Sequence, residues 1–231
     1  MHRTMQQPNG IQIELAGVTK AYGEQVVLDA IDLAIADAEF LAVMGRSGSG
    51  KSTLLKLVGG LDTPDSGTVI HRGRSLDGMS EHDRTHFRRS SLGFVFQFFN
   101  LIPTLTVREN VCLPLDLNGT RAEETARRSS EILAELEIDG CAQRFPEELS
   151  GGEQQRAAIA RALVHEPELI IADEPTGNLD LETAERVLET LSFSCRQRRT
   201  TLIVATHSRE VAALADRALR IRGGRLEEAL R

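Results

Sequence analysis

"GRSGSGKST", Gly45 to Thr53, follows the apolar run "FLAVM" (Phe40 to Met44) and precedes "LLKLVGGL". The pattern G-x-x-x-x-G-K-[ST] between a strand and a helix marks a loop whose backbone N–H groups cradle phosphates. Each residue type has a physical reason. Gly45, Gly48 and Gly50 let the backbone wrap closely around an anion. Lys51 would reach the β- and γ-phosphates of a nucleotide, and Ser52 would ligate Mg²⁺. Arg46, Ser47, Ser49 and Thr53 complete the expected phosphate-binding stretch. A Gly/Ser-rich loop without chemistry is the plain alternative, and the flanking strand and helix argue against it. A dinucleotide fingerprint is excluded, because Thr53 stands where the third glycine after Gly48-x-Gly50 would be.

Working outward, two more apolar runs end in polar groups. "LIIADEP" predicts a buried strand that delivers Asp173 and Glu174 to its carboxyl end, where ligands sit in open α/β sheets. Asp173 would hold Mg²⁺, through water, and Glu174 would polarise an attacking water as general base. Paired carboxylates after a strand are common; beside a phosphate loop they point to hydrolysis. "LIVAT" ends at His207, whose place after a core strand predicts a γ-phosphate contact rather than a merely satisfied polar side chain.

The rest of the chain fits an α/β fold, a P-loop core with a parallel sheet. Ile11, Ile13 and Leu15 alternate with polar residues, as do Ile31, Leu33 and Ile35, which predicts an N-terminal antiparallel β subdomain. Strands are also expected at Thr68 to Ile70 and at "LGFVF" (Leu92 to Phe96). Between about Phe98 and Val164 the pattern turns helical. Ala126, Ile132, Leu133 and Leu136 lie at helical spacing, Glu123–Arg127 and Glu124–Arg128 are i,i+4 pairs, and Gly140 is a plausible stop. A helix around Glu182 to Arg198 carries Val187, Leu188, Leu191 and Cys195 on one side, and Gly223-Gly224 predicts a terminal hairpin. The single domain thus divides into a core (1–97 and 165–231) and an inserted helical subdomain (98–164).

Totals bound the partners. The 231 residues are 41% apolar and 26% charged, with a net charge of −7, which argues against nucleic acid or an anionic lipid surface as the main partner. Cys112, Cys141 and Cys195 are odd in number, far apart and lack metal-like spacing, so they read as reduced packing residues. The polar start "MHRTMQQPNG" contains no apolar signal core, and no run approaches the length needed to cross a bilayer. A cytoplasmic chain that reaches a membrane only through a partner is expected.

A second phosphate-like motif stands at "LSGGEQQRAAIARAL", Leu149 to Leu163. Ser150, Gly151 and Gly152 open a helix with Ile159, Ala162 and Leu163 on its inward side, and a helix N-terminus offers N–H donors to an anion. Capping by Ser150 accounts for part of this, but capping alone does not need two glycines. With this motif the chain resembles the ATP-binding-cassette ATPases along nearly its whole length.

The resemblance implies a division of labour. In that family the signature, here Ser150, Gly151, Gly152 and Glu153, closes over the ATP of a second subunit, so that a homodimer sandwiches two ATPs. It further implies that Tyr22 stacks on adenine, that Gln97 touches Mg²⁺ and the attacking water, and that Asp180 communicates across the dimer. The plain alternatives are a packed aromatic, a polar strand end and a helix cap. The apolar stretch from Gln97 to Thr106 would dock an integral membrane permease, placing the chain on the cytoplasmic face of the inner membrane.

"ADEPTGNLD" and "FVFQFFNLIPTLTVRENV" resemble the LolD, MacB and YbbA branch, of lipoprotein-release and macrolide-efflux type. A regulatory cassette like FtsE is the alternative. A soluble non-transport cassette is disfavoured because there is one cassette, no coiled coil and no basic stripe; the short stretch after His207 disfavours an importer with an added regulatory domain. Two positions depart from the family. Arg46 stands where proline is frequent, and is expected to alter loop rigidity or add charge near the nucleotide mouth; Ser208 stands where aspartate is common.

Overall fold

The computed structural model describes residues 10–229; the polar stretch before Gly10 lies outside them. Two sheets organise the chain. The first is antiparallel, built from β1 (Ile11–Tyr22), β2 (Gln25–Ala36), β4 (Ser66–His71) and β5 (Arg74–Ser75), in the order β2-β1-β4-β5. Its inward positions, among them Ile13, Leu15, Leu28, Ile31, Leu33 and Ile35, are buried, while Ile11, expected on that face, is exposed. Register shifts between Leu15 and Lys20 change which side chains point inward, so the alternation does not run the length of the strand.

The second sheet is the core. It contains β3 (Phe40–Met44), β6 (Leu92–Phe96), β7 (Leu169–Asp173), β8 (Thr201–Thr206), β9 (Arg217–Arg222) and β10 (Arg225–Glu228), in the order β10-β9-β3-β8-β7-β6. Five of these strands run parallel, and only the edge strand β10 is antiparallel. The continuous apolar runs have a direct cause: strands covered on both faces bury every side chain. On one face Leu202 and Val204 join Phe40, Val95, Ile170 and Ala172 against the helical insertion. On the other, Ile203 and Ala205 join Leu41, Val43 and Ile171 against α1 (Lys51–Val58) and the antiparallel sheet. Gly223 and Gly224, at φ 56° and 78°, make the two-residue turn between β9 and β10.

The parallel register sets the site. Phe96 pairs with Asp173 and Asp173 with Ala205, while Met44 pairs with Thr206 and Arg220. Gln97, Glu174, His207 and Gly45 therefore leave the sheet side by side at its carboxyl edge.

The insertion holds α3 (Val107–Leu117), α4 (Ala122–Glu135) and α5 (Gly151–Leu163), followed after β7 by α6 (Leu181–Arg198) and, after β8, by α7 (Arg209–Leu214). Details of α4 differ from expectation. Thr125, Ser129, Ile132 and Leu133 form its buried side and Ala126 is exposed. The helix stops at Glu135, before Gly140. Arg127 pairs with Glu124 and Glu131 instead of Glu123, while Arg128 takes Glu124 as expected. Two helices, α2 (Glu81–Ser91) and α7, have no counterpart in the sequence reading. Helix α2 has no buried residue and begins with Ser80 accepting the N–H of Asp83. All three cysteines are free thiols.

Candidate nucleotide site

At the carboxyl edge of the core sheet lies a cavity of about 850 Å³. Ser47, Gly48, Gly50, Lys51, Ser52 and Thr53 form one wall, Gln97, Asp173, Glu174 and His207 another, and Tyr22 and Val27 the rim. The loop needs its glycines. Gly48 and Gly50 have φ of 76° and 105°, and a Cβ on Gly50 would meet the Val27 carbonyl at 3.1 Å. Helix α1 starts directly at Lys51, with no side-chain cap and no acidic residue in its first turn. Its first N–H groups therefore face the cavity unpaid by any side chain, which suits an anion.

Lys51 is 6% exposed. Its Nζ donates to the carbonyls of Gly45 (2.8 Å) and Arg46 (3.2 Å) and lies 3.3 Å from Glu174 Oε1. The other carboxylate oxygen of Glu174, Oε2, is 2.7 Å from His207 Nδ1. The backbone of Glu174 is left-handed, at φ 48°, and its N–H donates to the Ala205 carbonyl. Three residues brought together from positions 51, 174 and 207 thus form one polar chain along the cavity wall. Ser52 and Asp173 line the same cavity, and such hard oxygen donors fit Mg²⁺.

Gly45, Arg46 and Ser49 stand on the other side of the loop. They line an adjoining concavity instead of this one. The carbonyls of Gly45 and Arg46 accept from Lys51 Nζ, and Arg46 is exposed. A Cβ on Gly45 would lie 2.3 Å from Ser49 Oγ, so the Ser49 hydroxyl would have to rotate away. Ser49 Oγ is buried without a hydrogen-bond partner among the described residues.

Tyr22 is half exposed at the rim. Its hydroxyl donates to Asp62 (3.0 Å), and Lys20 Nζ sits 5.5 Å from its ring centre. It is not a packed core aromatic. The Gln97 amide lies against Gly177, where a Cβ would come within 2.8 Å of Nε2, and Asn178 donates to the Gln97 carbonyl. Gly177 and Asn178 were not singled out in the sequence; nothing local marks a contact across 80 residues.

Ser150 to Glu153 do not line the nucleotide cavity. Ser150 caps α5 in a reciprocal box: its Oγ accepts the Glu153 N–H, and Glu153 Oε2 accepts the Ser150 N–H (2.8 Å) and hydroxyl (2.7 Å). The hydroxyl and the amide of Ser150 hold the Glu153 carboxyl down at about 2, helped by the Cys141 thiol, which donates to Oε1 at 3.2 Å. The two glycines have a packing reason. A Cβ on Gly152 would come 2.8 Å from Thr183 Cγ2, and one on Gly151 would come 3.2 Å from Leu179. Asp180 caps α6 by accepting the Thr183 N–H at 3.0 Å, which lowers its pKa. Ser208 does the same for α7, accepting the Val211 N–H, so serine replaces aspartate as a cap without loss.

Comparison with known proteins identifies the family. Residues 28–177 match the model of the ABC transporter family. An uncharacterized ABC transporter ATP-binding protein of Mycobacterium tuberculosis is 50% identical over 200 residues, covering 87% of this chain and 81% of the relative. The lipoprotein-releasing system ATP-binding protein LolD of Geobacter metallireducens is 44% identical, over 93% of this chain and 97% of its own. Among solved structures, the dimeric post-hydrolysis state of the ATP-binding cassette MJ0796, bound to ADP and Pi, superposes with a TM-score of 0.85 at 40% identity, covering 94% and 98% of the two chains. The chain belongs to the ABC transporter family, as an ATPase of its LolD-like branch.

Proposed function

We propose that two copies of this chain close head-to-tail on two ATPs and so drive a separate membrane permease of lipoprotein-release or efflux type. One observation carries the hydrolytic part: Glu174 stands between Lys51 and His207 on the wall of the glycine-lined cavity. Lys51 neutralises charge on the phosphates, Glu174 takes the proton of the attacking water, and His207 holds the carboxylate through Nδ1. Gln97, set against Gly177, orients the water from the same wall. Ser52 and Asp173 would hold Mg²⁺, which would supply charge neutralisation for the phosphates. Tyr22 offers its ring to the adenine.

The dimer is supported by the position of Ser150 to Gly152, away from their own chain's cavity, and by the dimeric state of the solved relative. Asp180, beside that signature helix, would carry the signal between copies. The permease reading is supported by LolD relatives and by a groove of about 650 Å³ beside Gln97, lined by Leu61, Phe94, Phe96, Ile102 and Leu117. Phe98, next to it, is 72% exposed. No helix among the described residues is long and apolar enough to cross a membrane, and the groove is the surface we assign to the permease.

Glu174→Gln is the direct test. The variant should bind ATP and form dimers yet turn over at least about a hundredfold more slowly, the scale of a lost general base. Turnover near that of the parent would overturn the assignment.

A further inference from the structure

The nucleotide cavity meets two further concavities at His207. One, of about 790 Å³, carries acid: Glu185 and Glu189 of α6 and Glu210 of α7. The other, of about 610 Å³, carries base: Arg46, Arg220 and Arg222. His207 and Arg209 line both. The four arginines are exposed, and none enters an ion pair among the described residues. Arginines elsewhere commonly do, as Arg127, Arg198 and Arg217 show. Glu185 and Glu189 are also exposed and without an ion pair among the described residues, and at i,i+4 they share one face of α6.

Concentrated like charge repels itself, and four guanidinium groups in one concavity stand out on a chain of net charge −7. A phosphate-bearing anion would neutralise the arginines and leave the glutamates as they are. A two-fold axis satisfies both at once. In such an interface residue i of one copy meets residue j of the other, and j meets i. A face with acid and base side by side is self-complementary under that operation.

We propose that the arginine concavity receives the Glu185–Glu189 face of α6 from a second copy, and that the second copy's arginines receive the same face in return. This rests on the head-to-tail reading above. It adds the charge pairs that steer and register the two copies, through Arg220, Arg222, Glu185 and Glu189, which lie outside the nucleotide cavity. Association is then salt-dependent, because exposed charges are screened over about 10 Å at 0.1 M salt and about 3 Å at 1 M.

The test uses sedimentation of the full chain carrying Glu174→Gln, with ATP and Mg²⁺. Three further variants are built on that parent: R220E/R222E, E185R/E189R, and the four substitutions together. Each reversal alone should weaken the dimer about tenfold or more, and the combination should regain most of that loss. Raising salt from about 0.1 to about 1 M should weaken the parent dimer and narrow its advantage over the single reversals. R220Q/R222Q, which only removes charge, together with ATP affinity of the monomer, separates lost pairing from misfolding. Reversals that dimerise like the parent, or a combination no tighter than either half, overturn the inference while leaving the dimer intact. A parent that never dimerises with ATP takes the head-to-tail reading down, and this inference with it.

Discussion

Glu174 holds a left-handed backbone that an ordinary side chain adopts at a cost of about 1–3 kcal/mol. The cost is met by its N–H bond to Ala205 and by partners on both carboxylate oxygens. Strain tolerated at a carboxylate facing a cavity is what a positioned base requires. Glu153 shows the same logic in a cap. Its pKa is depressed, so the stability it adds is present above the ordinary carboxylate value near 4.5 and is lost as pH falls toward about 2. Glu153→Gln keeps an acceptor for Ser150 but removes the titration. Acid unfolding followed by circular dichroism should therefore lose part of its pH dependence between those values, the variant being less stable than the parent at neutral pH and close to it once Glu153 is protonated. The residues of the phosphate loop were legible because they are contiguous and their spacing is dictated by one ligand. The bond from Cys141 to Glu153 and the contact of Gly177 with Gln97 were not, since each joins segments whose meeting depends on the whole fold.

Among the elements, the buried strands were readable to within a residue, as "FLAVM" and "LGFVF" show, because burial on both faces leaves no polar position to blur their ends. Helix α2 left no such trace. With no buried side chain it has no apolar stripe, and it is held by Ser80 and by Arg88, which reaches Glu81 and the Gly60 carbonyl. Helix α4 stops short of Gly140 because Leu136 and Ile138 turn into the core beside it. The entry to α3 depends on Asn110, fully buried, whose amide accepts the Ile102 N–H and donates to the carbonyls of Ile102, Leu105 and Thr106. Asn110→Ala orphans these buried groups at about 1–3 kcal/mol for the first of them. Chemical denaturation should report a loss of that size or larger, and the loop from Phe98 to Thr106 should become the first site of proteolysis.

For the molecule as a whole, the apolar groove and the nucleotide cavity meet at Phe96, which lines both. A partner seated in the groove is thereby one residue from Gln97. Leu117 is 62% exposed at the groove's far side and remote from the phosphate loop. Leu117→Glu should leave the turnover of the isolated chain unchanged and abolish its stimulation by the co-reconstituted permease; stimulation equal to the parent's would place the docking surface elsewhere.

The position of β3 has a consequence for synthesis. This strand carries the phosphate loop, yet within its sheet it pairs only with β8 and β9, Phe40 meeting Leu202 and Leu41 meeting Arg217. At a translation rate of about 5–20 residues per second, the strand waits roughly 10–30 s for its first neighbour. Throughout that interval the nascent chain presents an apolar strand with both hydrogen-bonding edges open, the condition that invites pairing with another chain. The segment on which nucleotide binding depends is therefore the one whose exposure on the ribosome lasts longest, and it needs shelter until the last third of the chain has emerged.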